Sequence, residues 1–182
     1  MGRVHITGMA IGSLVLGLGI FPSGARAQAP SDAQIVGIVL AADQIDIDYG
    51  KLALQKSNDK KVREFAQRMV TDHSAVQKSV IELADKLGVK AEDSSTSTGL
   101  KSGAADITTK LNSLKGKEFD KFYINNEVNY HKTVTDAVDA VLIPSATNAE
   151  LKAALQGAQP LFLKHLEHAR TVQSGTSAGM SH

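Results

Sequence analysis

From Ala33 onwards the apolar positions recur every three to four residues, in long runs separated by short polar breaks. No segment shows the period-two alternation of a half-buried strand, so the spacing predicts helices throughout. The first run covers roughly Ala33 to Lys56, with Ile38, Ala42, Ile45, Tyr49 and Leu52 on one face and Ser31 or Asp32 as its N-cap. The second covers Asp59 to Leu87, with Asn58 or Asp59 starting it, Val62, Ala66, Met69, Val80, Ala84 and Leu87 inward, and Gly88 as its C-terminal stop. A third runs from Lys117 to Ile143, where Pro144 is expected to end it. The fourth begins at an expected capping box, Thr147-Asn-Ala-Glu150, and continues to about Val172, with Gly157 and Pro160 as an interruption read either as a harmless bend around the core or as a break that sets the direction of His165.

Four amphipathic helices of this length bury their stripes best as a bundle. The hairpins between the first and second helices, and between the third and fourth, have short turns. The connection from 88 to 116 is long enough to cross the bundle from end to end. It opens with a polar, low-complexity stretch at 92–99, read as a linker. A shorter amphipathic segment follows, with Leu100, Ala104, Ile107, Leu111 and Leu114 in register. The first helix has a second apolar stripe, Val36, Leu40, Ile47 and Leu54, which needs a cover. The 100–114 segment is the expected cover, and a second copy of the chain is the alternative. The fold class is therefore all-α: a four-helix bundle with an additional short helix in the long connection.

The N-terminus carries a different pattern. Arg3 and His5 precede an apolar run from Ile11 to Phe21, and Ala25-Arg26-Ala27 has the small-x-small form of a signal peptidase site. The run is shorter than the ~20 residues that span a bilayer. Residues 1–27 are expected to be a cleaved secretory signal, residues 28–173 the bundle domain, and residues 174–182 a small, polar, disordered tail. The expected location is the periplasm, with outer-membrane association or secretion as further destinations of an exported chain. Removing residues 1–27 takes away two of the 20 basic residues and none of the 19 acidic ones, leaving a net charge of −1. That balance offers no electrostatic footprint for nucleic acid, and the mature chain has no transmembrane span. With no cysteine there is no disulfide framework and no thiol chemistry, so the core alone must stabilise the exported chain. Possible partners are a second copy in a weak homodimer or another envelope protein.

Some polar residues fall on the faces that should be buried. In the second helix His73 sits near the centre of the stripe formed by Met69, Val76, Val80 and Leu83. The third helix places Glu127 near its centre, with Tyr123 one turn before and His131 one turn after. In the fourth, His165 is central and His168 lies at the edge. Asp46 lies at the margin of the first helix's stripe, with Asp43 and Asp48 further out. If the long connection returns the chain to the Ser57 end, Asp46, His73, Glu127, His131 and His165 fall within roughly 11 Å along the bundle axis, and within about 13 Å in the simpler up-down-up-down order, so the clustering holds for either topology.

A buried, unpaired carboxylate costs several kcal/mol, so Glu127 needs a partner. Two or three imidazoles with one or two carboxylates form a ligand set for zinc, iron or copper. Two readings of the cluster stay open at this level: a transition-metal site made by His73, Glu127, His131, His165 and Asp46, and a metal-free polar layer in which these groups satisfy one another. No nucleophile motif, phosphate loop or triad order points to an enzyme.

Several stretches together resemble domain-of-unknown-function family 4142 of exported bacterial proteins. They are Asp46-Ile-Asp-Tyr-Gly50-Lys-Leu52-Ala53, Phe65-Ala66-Gln-Arg-Met69-Val70-Thr-Asp72-His73, Gly116-Lys-Glu-Phe119-Asp120-Lys-Phe-Tyr123, His131, and Leu161-Phe-Leu-Lys-His165-Leu166. The resemblance covers nearly all of the mature chain. It implies a ferritin-like bundle at the periplasm or cell surface, and it implies no activity. Where the family usually has glutamate this chain has Asp46, which has the shorter arm. Ferritin-like di-iron proteins carry Glu-x-x-His on two helices. That motif occurs nowhere in this sequence, so their oxidase chemistry does not transfer. The functional expectation is an exported helical bundle that binds a transition metal through inward His and Glu residues. The alternative is a metal-free structural or stress-related protein-interaction module with a polar core layer.

Overall fold

A computed structural model describes residues 29–178. The chain forms α1 (Asp32–Lys56), α2 (Lys60–Leu87), α3 (Ser95–Ser113), α4 (Gly116–Ala137), a π-helical segment (Val138–Leu142), the short α5 (Ile143–Ser145), and α6 (Ala149–Ala178). There are no strands among the described residues. The expected signal segment lies outside them, and no described helix is long and apolar enough to cross a membrane.

Local chemistry sets the boundaries. Ser31 caps α1 in a reciprocal box with Gln34, and the Asp59 carboxylate accepts from the Lys61 and Val62 amides at the start of α2. Gly88 ends α2 in the left-handed conformation, φ 65°. Lys56 Nζ donates to the carbonyls of Leu111 and Asn112 at the end of α3, while the Glu92 amide donates to Ala33 O near the start of α1. Thus α3 runs back along α1 and returns the chain to the Ser57 end, where α4 begins. Asp32 then binds the Thr147 and Asn148 amides, tying the α4–α6 turn to the start of α1. The four long helices pack as a ring, α1–α2–α6–α4, each antiparallel to its neighbours. One long crossover between α2 and α4 is the ferritin-like arrangement.

The second stripe of α1 is covered from within the chain. Leu100, Ala104, Ile107 and Leu114 pack against the core cluster that includes Ile45, Tyr49 and Ala53. Val36 and Ile47 are buried. Close approach also dictates two glycines. A methyl at Gly37 would overlap the Glu92 carbonyl, and one at Gly50 would sit 2.8 Å from Val70 Cγ2 and 3.0 Å from Ala66 O.

Five local expectations are corrected. The 92–99 stretch is not a linker throughout, because Ser94 and Ser97 form a capping box that starts α3 at Ser95. Pro144 does not stop the third helix at Ile143; the π segment re-phases it and the helix closes at Ser145. The cap of α6 is Asn148, whose side chain accepts from the Glu150 and Leu151 amides, while Thr147 is held by Asp32. Pro160 leaves α6 continuous. Pro160, Gln156 and Gly157 are all exposed, so the carbonyl that loses its partner faces water. The tail expected to be disordered from Ser174 is helical as far as Ala178, and the remainder lies outside the described residues.

Candidate metal centre

The apolar interior divides into two clusters. One is built on Phe65, Met69, Phe119 and Tyr123 near the Ser57 end; the other is built on Ile35, Val36, Leu142, Leu155 and Phe162 at the opposite end. Between them lies a polar layer. Asp43, Asp46, His73, Glu127, His131 and His165 are all buried there. All five residues expected from the sequence meet in this layer, so the imidazole on the α2 stripe faces polar partners rather than apolar core.

Each histidine has one ring nitrogen held and one left over. His73 Nδ1 lies 2.8 Å from Asp43 Oδ1. His131 Nδ1 donates to its own helix, to Glu127 O at 3.0 Å. His165 Nε2 lies 2.8 Å from Asp72 Oδ2. The other nitrogens, His73 Nε2, His131 Nε2 and His165 Nδ1, are buried and have no hydrogen-bond partner. Asp46 Oδ2 is equally without one, although it lies 3.0 Å from His73 Nε2 and 3.2 Å from His131 Nε2. These are charge contacts rather than aligned hydrogen bonds. The three rings pack closely, with centroids 5.1 to 5.6 Å apart. His73, His131 and His165 can each offer a ligand atom within 4.8 Å of the others, and so can Asp46, Glu127 and His131.

The electrostatics separate the histidines. Burial opposes charge on His73, but the Asp46 charge and the contacts with Asp43 and Asp46 outweigh it and lift its pKa to about 10. Burial lowers His131, with the Asp46 charge only partly opposing it. Burial also pushes His165 down to about 4, against the pull of Asp72. Burial raises Glu127 well above the usual carboxyl range, and the neighbouring Asp46 charge adds to that. Asp46 stays low despite its burial, because His131 and His73 stabilise its charge. Without a metal, His73 is thus the basic group of the layer, set between Asp43 and Asp46, while burial disfavours charge on Glu127, His131 and His165.

Two residues that hold these histidines are not evident from the sequence. Asp43 was placed too far from the stripe, yet it is buried against His73 because α1 is covered on several sides. Asp72 lies beside His73 in the chain and reaches across to α6 instead. The only available signal was the Asp72-His73 pair itself. His168, expected at the edge, stays outside the layer and packs on Phe65, ring centroids 5.2 Å apart.

Comparison with known proteins gives two results. The model of the family Domain of unknown function (DUF4142) matches residues 21–172. A crystal structure described as a "putative secreted protein DUF305 from Streptomyces coelicolor" superposes with a TM-score of 0.68 at 13% identity, covering 80% of this chain and 93% of that one. At that identity the likeness shows the fold alone. No curated protein matches the chain.

Proposed function

The chain belongs to the family Domain of unknown function (DUF4142), whose name assigns no activity, and for this member we propose an exported bundle that holds one transition-metal ion. The proposed ligands are His73 Nε2, His131 Nε2, His165 Nδ1 and Asp46 Oδ2, with the Glu127 carboxyl beside them as a further oxygen donor. The signal-like residues 1–27 and the secreted description of the fold neighbour support export, with the periplasm as the proposed location.

One observation carries the metal reading: in each histidine one nitrogen is anchored by Asp43, the Glu127 carbonyl or Asp72, while the other is buried without an aligned hydrogen bond, His73 Nε2 and His131 Nε2 both lying against Asp46 Oδ2. A metal-ligating histidine is oriented in this way by its second N–H. Ligands about 2.0–2.2 Å from one ion, at tetrahedral to square angles, stand roughly 2.8–3.5 Å from one another. The separations of 3.0 and 3.2 Å around Asp46 Oδ2 fall in that range. Imidazole with carboxylate, and no thiolate, suits zinc, copper(II) or iron(II). A divalent ion taking the place of the His73 proton meets two buried carboxylates, Asp43 and Asp46.

The rival reading also has an observation behind it. Asp43 and Asp46 on either side of His73 form an ion triad that needs no metal, as in a structural or stress-related interaction module. Calorimetric titration of chelator-treated, untagged protein with zinc, copper(II) and iron(II) separates the two. One ion bound per chain, and none by His73→Ala/His165→Ala, supports the metal site. A folded wild type that binds none of the three favours the triad.

A further inference from the structure

A cavity of about 1040 Å³ opens between α1, the start of α3 and the α4–π segment. Helical bundles close-pack their interiors and leave few voids larger than a water molecule. Ligand pockets occupy roughly 300–1,000 Å³ and combine apolar walls with a few convergent polar groups. This cavity has that composition. Its walls include Ile38, Val39, Val134, Val138, Leu142 and Phe162. Its outer part is lined by the neutral polar residues Ser31, Gln34, Thr133 and Thr147, and its inner end by Asp43, Asp46, His73 and His131. Between the levels of Gln34 and Asp43 it follows α1 for about 13 Å.

The inner end is short of positive charge. Among the described residues no lysine or arginine lines the cavity. His73 occupies one oxygen of each aspartate: Nδ1 lies 2.8 Å from Asp43 Oδ1, and Nε2 lies 3.0 Å from Asp46 Oδ2. Even as an imidazolium it offsets only one of the two carboxylates. Asp43 Oδ2 and Asp46 Oδ1 are buried with no hydrogen-bond partner, on residues that are 2% and 0% exposed. A buried carboxylate oxygen without a donor is costly, and a cation bearing N–H groups relieves both its charge and its unmade hydrogen bonds. The Tyr130 hydroxyl, which also borders the cavity, does not do so, because it donates to Ala42 O at 2.9 Å. An anionic head would be repelled at this end, and a neutral one would leave the charge uncompensated.

We propose that this cavity takes a primary alkylammonium, its head donating to Asp43 Oδ2 and its chain lying along Ile38, Val134 and Val138. The π segment supplies Val138, Val141 and Leu142 to the wall that the chain meets, and such segments recur at functional sites. The proposal needs no metal, since the head is held by Asp43, which is outside the proposed ligand set.

Calorimetric titration of chelator-treated, untagged protein with octylammonium, butylammonium, octanol and octanoate tests this. Octylammonium is expected to bind tighter than butylammonium, by about three- to fourfold for each further methylene that reaches the wall. Octanol should bind more weakly than octylammonium, and octanoate not at all. Asp43→Asn should bring octylammonium down to the level of octanol. Ala137→Trp, at a half-buried wall position away from the carboxylates, should weaken octylammonium more than butylammonium. Octanol or octanoate binding as tightly as octylammonium in wild type, equal affinity for the two ammonium ions, or no binding of octylammonium overturns the inference. So does a folded Asp43→Asn protein that still prefers octylammonium to octanol. Zinc uptake by the same protein judges the metal reading separately, because none of these titrations contains a metal.

Discussion

Asp43→Asn removes one charge from the polar layer while preserving the shape of the side chain. The Asp43 carboxylate is buried and holds His73 Nδ1 at 2.8 Å, which turns Nε2 towards Asp46. The asparagine carbonyl can still accept that N–H, so the ring keeps its orientation but loses the electrostatic support of its basicity. Loss of such an orienting partner typically weakens a metal site by 10–100-fold, about 1.4–2.8 kcal/mol. The metal-free fold should suffer less. A hydrogen bond to a charged group contributes about 1.5–3 kcal/mol and a neutral one about 0.5–1.5, so the difference is roughly 1 kcal/mol. Competition against a chromophoric chelator at fixed pH gives the metal affinity, and urea unfolding in excess chelator gives the stability. An unchanged affinity would refute the orienting role of Asp43. Complete loss of binding would refute it differently, by making Asp43 a ligand in its own right.

Three further outcomes follow from the same geometry. In chelated protein, His73→Ala leaves Asp43 and Asp46 buried without their cation; breaking such a pair costs about 3–5 kcal/mol, and thermal melts should show a still larger loss when metal is present during the comparison. Gly37→Ala drives a methyl into the Glu92 carbonyl, and a clash of this kind should cost about 1–3 kcal/mol and expose the 88–94 connection to protease. Asp32 has its pKa lowered, because the hydrogen bonds from Thr147 and Asn148 outweigh its desolvation. Its contribution is therefore present above the unfolded value of 3.8 and lost as pH falls through the lower folded value, so Asp32→Asn should destabilise at pH 7 and converge on wild type in acid.

Much of this arrangement was legible in the sequence because helix caps and stripes are local. Asp59 and Gly88 delimit α2 by side-chain and backbone chemistry that any observer of the sequence can weigh. The five inward residues were legible for a related reason: a charged or imidazole group on an apolar stripe contradicts its neighbours. Asp43 was not, because α1 is buried against α2, α3 and α4 together, and a helix covered on several sides has no single stripe from which to measure an outlier. The start of α3 was hidden in a serine-threonine run whose composition suits a linker, until Ser94 and Ser97 cap one another. Pro160 misled in the opposite direction, because its cost depends on whether the freed carbonyl reaches water, and exposure is a tertiary property.

The central claim is that three imidazoles and Asp46 converge on one ion. X-ray absorption at the metal edge of untagged, zinc-loaded protein tests it most directly. The account predicts a first shell of nitrogen and oxygen at about 2.0–2.1 Å, with the outer-shell scattering of three imidazole rings, reduced to two in His165→Ala. A shell of oxygen alone, or imidazole scattering unchanged by that substitution, would contradict it.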